Sequence, residues 1–83
     1  MKKIFESELN HIGNDISAEK VYVYALESND EFWELDGMDH EARCKHFDVY
    51  EEHGVAPGAK YHRYDFDLYC TYIIMVETVA LNV

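Results

Sequence analysis

The chain has 83 residues, of which 17 are acidic and 7 are Lys or Arg, so its formal charge is −10. Such a surplus excludes direct binding to nucleic acid or to anionic membranes, because both would repel it. An apolar fraction of 48% with twelve aromatic residues excludes a disordered acidic tail. The composition therefore predicts one folded domain over residues 1–83.

Cysteine usage and the apolar segments indicate the compartment. Two cysteines, Cys44 and Cys70, are fewer than a small extracellular domain normally needs, so we expect reduced thiols. Residues 1–5 begin like a signal peptide, but Glu6 and Glu8 interrupt the apolar run at once. The longest apolar stretch, residues 69–76, is far shorter than a membrane helix. We expect a cytoplasmic protein without membrane contact, in the host cytoplasm if a phage encodes it.

The first predicted element is ambiguous. In residues 1–15, the apolar residues Ile4, Phe5, Leu9 and Ile12 fit one face of a helix. The same segment also alternates as a strand would, with Glu6 and Glu8 on its exposed face. Both interpretations stay open.

A β-hairpin is predicted next. Residues 20–26 (KVYVYAL) are rich in β-branched and aromatic types, and residues 31–35 (EFWEL) form a second short run of this kind. Between them, Ser28, Asn29 and Asp30 are typical of a turn.

One helix should follow the hairpin. An aspartate within residues 36–39 (DGMD) can cap its first turn. The apolar face would comprise Met38, Ala42, His46, Val49, Tyr50 and His53. The opposite face would expose Glu41, Asp48, Glu51 and Glu52. Gly54 should end the helix, and Pro57 and Gly58 should complete the break.

Two further strands complete the predicted fold. They span residues 60–67 and 68–83, and the second is apolar on both faces, as is typical of a central strand. The sequence therefore predicts an α+β fold in which an antiparallel sheet of about four strands packs against one helix, in the order ββαββ.

The acidic residues are the main candidate site. Seven of them lie between Lys20 and Arg43 with no basic residue among them. On a strand, residues two apart, such as Glu34 and Asp36 or Asp65 and Asp67, project about 6.6–6.8 Å apart, close to two phosphate steps of a duplex strand. A solvated surface that keeps the protein soluble is the alternative. The predicted partner contacts are Glu31, Trp33, Glu34, Asp36, Glu41, Asp48, Glu51 and Glu52.

Metal and catalytic sites are less well supported by the sequence. His40 and Cys44 are four residues apart on the predicted helix and point the same way, and His62 or Cys70 could complete a zinc site. There is no CxxC pair, however, and HEARCKH lacks the HExxH spacing. No nucleophile motif or phosphate-binding loop is present. We therefore assign no metal, no cofactor and no enzymatic activity.

The predicted function is that of an acidic inhibitor that occupies the basic nucleic-acid groove of a larger protein or effector complex. In size and charge the chain resembles small phage and mobile-element proteins that block restriction, CRISPR or DNA-repair machinery. One alternative is an immunity protein or antitoxin that caps a cognate nuclease. Another is a small metal-stabilised or assembly protein whose acidity is incidental. Association of two copies into a homodimer is left open.

Overall fold

The computed structural model describes residues 1–10 and 17–81, and they form a small α+β protein. Its elements are five strands and two short helices in chain order. They are β1 (Lys2–Asn10), β2 (Ser17–Ala25), α1 (Asn29–Asp36), α2 (His40–His46), β3 (Glu52–His53), β4 (Lys60–Leu68) and β5 (Tyr72–Leu81). No helix among these residues is long and apolar enough to span a membrane.

The strands form one antiparallel sheet in the order β1-β2-β5-β4-β3. β5 lies at its centre, as predicted from a run that is apolar on both faces. The ambiguous N-terminal segment is a strand that pairs with β2. Ile12 and the rest of residues 11–16 lie outside the described part of the chain, as do residues 82–83.

The two faces of the sheet differ in what covers them. On one, which we call the helix-covered face, Cys44, Tyr64 and Met75 form a buried cluster. Side chains from β2, β4 and the segment after α2 pack against this cluster, namely Tyr22, Tyr24, Phe47, Val49 and Phe66. The hydrophobic core therefore lies between the helices and this face.

The opposite face, which we call the open face, is also apolar at its centre. Strand alternation places Val21 and Val23 of β2 beside Val76 and Ile74 of β5, their cross-strand partners. All four side chains are half-buried. The core cluster and the helices lie on the other side of the sheet, so neither of the two described helices covers these residues.

The predicted hairpin is wrong at its second strand, because residues 31–35 belong to α1. Ser28 is the N-cap of this helix, and its hydroxyl accepts a hydrogen bond from the Glu31 N–H at 3.3 Å. The polar residues interpreted as a turn therefore begin a helix. Leu35 is fully buried, and its packing outweighs the strand propensity of Phe32 and Trp33.

The predicted helix up to Gly54 is also wrong in its second half. Asp39 caps α2 as expected, and its carboxylate accepts the Ala42 N–H at 2.8 Å. The helix ends at His46, however, because Asp48 adopts a left-handed conformation with φ 56°. This reversal is a Schellman ending, in which the Val49 N–H donates to the Cys44 carbonyl. Aspartate tolerates this conformation better than most residues.

Candidate functional site

Most of the negative charge lies in the segment that contains the helices. Residues 27–53, which we call the helical layer, hold ten acidic and two basic residues, a formal charge of −8. The rest of the chain holds seven acidic and five basic residues, a formal charge of −2. Because both helices of this layer pack on the helix-covered face, the surplus is concentrated on one side of the sheet.

The outer side of α1 combines acids with an exposed tryptophan. Asp30 and Asp36 are each three residues from Trp33, so both are its neighbours on one helical surface. Trp33, the only tryptophan of the chain, is 66% exposed. A large aromatic side chain between two carboxylates is typical of an interface anchor.

The two basic residues of the helical layer neutralise few of these acids. The Arg43 guanidinium donates two hydrogen bonds to the Leu35 carbonyl, at 3.1 and 3.2 Å, and so caps the end of α1. Lys45 lies 3.8 Å from Glu41, but both side chains are largely exposed, so this pair is weak.

The eight predicted contact residues fall into two groups. Six are exposed and available to a partner, namely Trp33, Glu34, Asp36, Glu41, Asp48 and Glu52. Glu31 and Glu51 are half-buried and bind other parts of the chain. Glu34 and Asp36 lie on a helix, so the strand spacing predicted for them is wrong. Asp65 and Asp67 do share one face of β4 and are exposed.

Glu31 ties α1 to the start of the chain. Its carboxylate accepts a hydrogen bond from the Met1 amino group and another from the Glu27 N–H, both at 3.0 Å. Burial acts to raise the pKa of Glu31, but these two hydrogen bonds outweigh burial and the pKa is lowered. The charge of Glu31 therefore stabilises the fold as well as contributing to the surface.

Glu51 joins the helical layer to the sheet. Its Oε2 accepts the Tyr64 N–H of β4 at 2.9 Å, and its Oε1 lies 2.9 Å from His40 Nε2. Burial acts to raise the pKa of Glu51, but the hydrogen bonds from Tyr64 and His40 prevail and lower it. His53 Nε2 lies 3.9 Å from the same Oε1. The Glu51 carboxylate is thus held in one orientation.

A mixed cluster of ligand atoms forms beside Glu51. His40 Nε2 lies 3.7 Å from Cys44 Sγ, and the ligand atoms of His40, Cys44 and Glu51 all lie within 4.8 Å of one another. Burial raises the pKa of the Cys44 thiol, and the charges of Glu51 and Glu41 raise it further. The cluster borders a surface pocket.

This cluster lacks the arrangement of a catalytic triad. A thiol–imidazole–carboxylate triad uses one ring nitrogen for the thiol and the other for the carboxylate. Here both groups approach Nε2 of His40. The raised pKa of the Cys44 thiol also opposes nucleophilic attack, which requires the thiolate.

The sequence identified only two members of this cluster. The spacing of His40 and Cys44 was visible in it, but the third residue is Glu51 rather than His62 or Cys70. Cys70 is exposed near the turn between β4 and β5. The early end of α2 was not identified from the sequence. On the longer predicted helix, Glu51 would remain on the same helix as His40 and Cys44.

The chain matches no family model, no curated protein and no solved structure in the comparisons made.

Proposed function

We propose that this protein is a non-enzymatic inhibitor whose helical layer occupies the basic nucleic-acid groove of a larger protein. The observation that carries the proposal is the formal charge of −8 on residues 27–53, set against −2 on the rest of the chain. A charge gathered on one side of a molecule attracts a cationic groove and orients the encounter.

The spacing of the exposed acids is compatible with such a groove. Asp30 and Glu34 are four residues apart on α1, so they are about 6 Å apart along the helix axis. Two phosphate steps along one strand of a duplex measure about 6.8 Å. Lysine and arginine side chains that bind phosphates two steps apart can therefore reach both carboxylates.

Trp33 supplies an apolar contact within this acidic surface. Surface carboxylates speed association but contribute little affinity each, because they remain hydrated and are screened by salt. Tryptophan is enriched among the residues that dominate binding energy at interfaces. We therefore assign steering to the exposed acids and anchoring to Trp33, which lies between two of them.

Two matched double charge reversals test the proposal. E34K/D36K changes the helical layer, whereas E6K/E8K makes the same change of charge on β1, outside both the helical layer and the open face. The immobilised wild-type protein should capture nucleic-acid-binding proteins from host lysate at low salt, and excess duplex DNA should displace them. E34K/D36K should reduce this capture at least about tenfold, and E6K/E8K should leave most of it.

Three outcomes would reject the proposal that the protein occupies a nucleic-acid groove. Equal loss with both double variants would mean that net charge alone attracts the partners. Capture that excess duplex DNA fails to displace would mean that the groove is not the target. Recovery of one nuclease that also stays bound at high salt would favour the immunity-protein alternative. Circular dichroism of each variant verifies that the domain remains folded.

The partner on the open face is, we further propose, a second copy of this chain. Four strands of about nine residues cover an area of about 30 by 19 Å, so a face-to-face pair buries roughly 1,100 Å² or more, near the lower limit for stable interfaces. Val23 and Ile74 lie at the centre of this area. Contact through the open face also keeps the two helical layers, which repel each other, on opposite outer sides.

Sedimentation analysis of V23T/I74T tests the homodimer. Threonine keeps strand propensity while it removes apolar surface, so the variant should sediment as a monomer where the wild-type chain is a dimer. E34K/D36K is the control and should remain dimeric. A wild-type chain that is monomeric at every concentration would contradict this assignment, as would a V23T/I74T dimer of undiminished affinity.

A further inference from the structure

The cluster beside Glu51 has the ligand types and the geometry of a transition-metal site. We propose that His40, Cys44 and Glu51 bind a divalent ion of zinc type, with a water molecule as the fourth ligand. His40 and Cys44 come from α2, and Glu51 comes from the segment that leads into β3. The site goes beyond the inhibitor function and does not depend on it.

The distances between the ligand atoms fit a tetrahedral ion. Bond lengths of about 2.0–2.3 Å to nitrogen, oxygen and sulfur place two ligands of tetrahedral zinc about 3.3–3.6 Å apart. His40 Nε2 lies 3.7 Å from Cys44 Sγ and 2.9 Å from Glu51 Oε1. For both of these pairs, shifts of a few tenths of an ångström would give the separation that tetrahedral zinc requires.

Hydrogen bonding alone leaves this cluster incompletely satisfied. His40 Nε2 faces both Glu51 Oε1 and Cys44 Sγ. If Nε2 is protonated and its N–H donates a hydrogen bond to the carboxylate, it cannot accept one from the thiol. A cation removes this conflict, because a thiolate, an imidazole nitrogen and a carboxylate oxygen can all bind it.

The surrounding charges also favour a cation. The carboxylates of Glu41 and Glu51 line the same pocket as Cys44 and make its surroundings negative. The nearby Lys45 directs its ammonium group to Glu41, at 3.8 Å. A divalent ion bound to Cys44 would supply the positive charge that stabilises the thiolate.

Neighbouring groups orient two of the ligands before any ion binds. The Tyr64 N–H holds Oε2 of Glu51 at 2.9 Å, which leaves Oε1 directed at His40. The His40 ring contacts the edge of Phe66, with ring centroids 5.7 Å apart. Such outer contacts are typical of metal sites, where they fix the direction of each ligand.

The ligand types select the ion. One thiolate with imidazole and carboxylate suits zinc, and cobalt can replace it, whereas calcium and magnesium prefer oxygen ligands alone. Because the cluster borders a surface pocket, a hydrated ion can reach it from solvent. Once bound, the ion would join α2 to the segment before β3, and through Glu51 to β4.

Titration of the full chain with Co²⁺ and Zn²⁺ tests the site, after treatment with a chelator and under reducing conditions. Co²⁺ should bind at one ion per chain and give a thiolate-to-cobalt charge-transfer band with the strong visible bands of four-coordinate cobalt. Zn²⁺ should abolish these bands and raise the melting temperature of the wild-type protein.

Matched variants locate the ligands. C44S should abolish the charge-transfer band, whereas C70S removes the other thiol and should retain it. H40Q should weaken binding by about 100-fold or more, whereas H46Q, at an exposed histidine of the same helix, should leave it unchanged. His40 is itself about half exposed, so H40Q tests the site without disturbing the core.

The proposal is overturned if Co²⁺ gives only the weak bands of six-coordinate ions held by surface carboxylates. It is equally overturned if H46Q weakens binding as much as H40Q, or if C70S abolishes the charge-transfer band. Retention of the band in C44S would also reject it.

Discussion

Asp48 offers a direct test of how the helical layer is built. It occupies the left-handed position that ends α2, with φ 56°. The Asp48 N–H donates to the Lys45 carbonyl at 3.1 Å, and the Val49 N–H donates to the Cys44 carbonyl at 2.9 Å. Glycine is the residue that this position normally favours. We therefore expect D48G to stabilise the fold and D48A to destabilise it.

The magnitude follows from the conformation and from the charge. A left-handed conformation costs an ordinary L-residue about 1–2 kcal/mol, aspartate somewhat less, and glycine almost nothing. Asp48 also places a negative charge at the negative end of the α2 dipole, which costs a few tenths of a kcal/mol at an exposed position. D48G should gain about 0.5–1 kcal/mol and D48A should lose about 0.5–1 kcal/mol. D48N removes the charge, and asparagine tolerates the left-handed conformation, so this variant should be slightly more stable than the wild-type protein.

Urea unfolding followed by circular dichroism measures the free energy of unfolding of the wild-type protein and of the three variants. For a domain of this size, a change of 1 kcal/mol also shifts the melting temperature by about 4–8 °C. The order of stability should be D48G, D48N, wild type and D48A. If D48A is as stable as D48G, the left-handed conformation carries no cost and our account of the end of α2 is wrong. If D48N equals D48G, charge alone explains the gain.

Two further predictions concern buried polar contacts. The pKa of Glu31 is lowered from its ordinary value of about 4.5, so its contribution to stability is present above that pH and is lost as pH falls through the lower folded value. E31Q should therefore flatten the loss of stability on acidification, whereas E34Q, an exposed neighbour on the same helix, should leave it unchanged; equal curves would contradict the role of Glu31. The buried hydroxyl of Tyr64 donates to Glu77 at 2.9 Å. Y64F should cost about 1–3 kcal/mol in urea unfolding because the half-buried carboxylate loses its donor. Y50F, at a tyrosine that is 75% exposed, should change stability by less than about 0.5 kcal/mol, and an equal effect of both substitutions would refute this assignment.

Strand prediction succeeded where packing and propensity agree. The strand predicted over residues 68–83 is the central strand, but it begins at Tyr72, because Leu68 ends β4 and residues 69–71 form the turn. Strand prediction failed at residues 31–35, where the aromatic side chains considered in isolation favour a strand. The motif Ser28-x-x-Glu31 is a helix-capping signal, but it precedes only two turns of helix and is easily taken for a turn. The burial of Leu35 is what decides the outcome, and burial is not visible in one sequence.

The sequence predicts the negative charge of the candidate site but not which of its acidic side chains are exposed. The sequence identified the acidic segment, yet it could not separate the six exposed residues from Glu31 and Glu51, which bind the chain itself. That distinction depends on contacts with groups that lie 30 residues away in sequence for Glu31 and 13 residues away for Glu51. Local patterns carry no information on contacts so distant in sequence.

One backbone angle decides whether the chain has a place for an ion at all. On an uninterrupted helix, His40 and Glu51 would be about 16 Å apart along the axis, because eleven residues separate them. The reversal at Asp48 folds the chain back and brings the two side chains to 2.9 Å. Residue 48 thus governs the assembly of the ligands although it contributes no ligand atom. A sequence change that lets the helix continue past it would dismantle the pocket while every ligand residue remained in place.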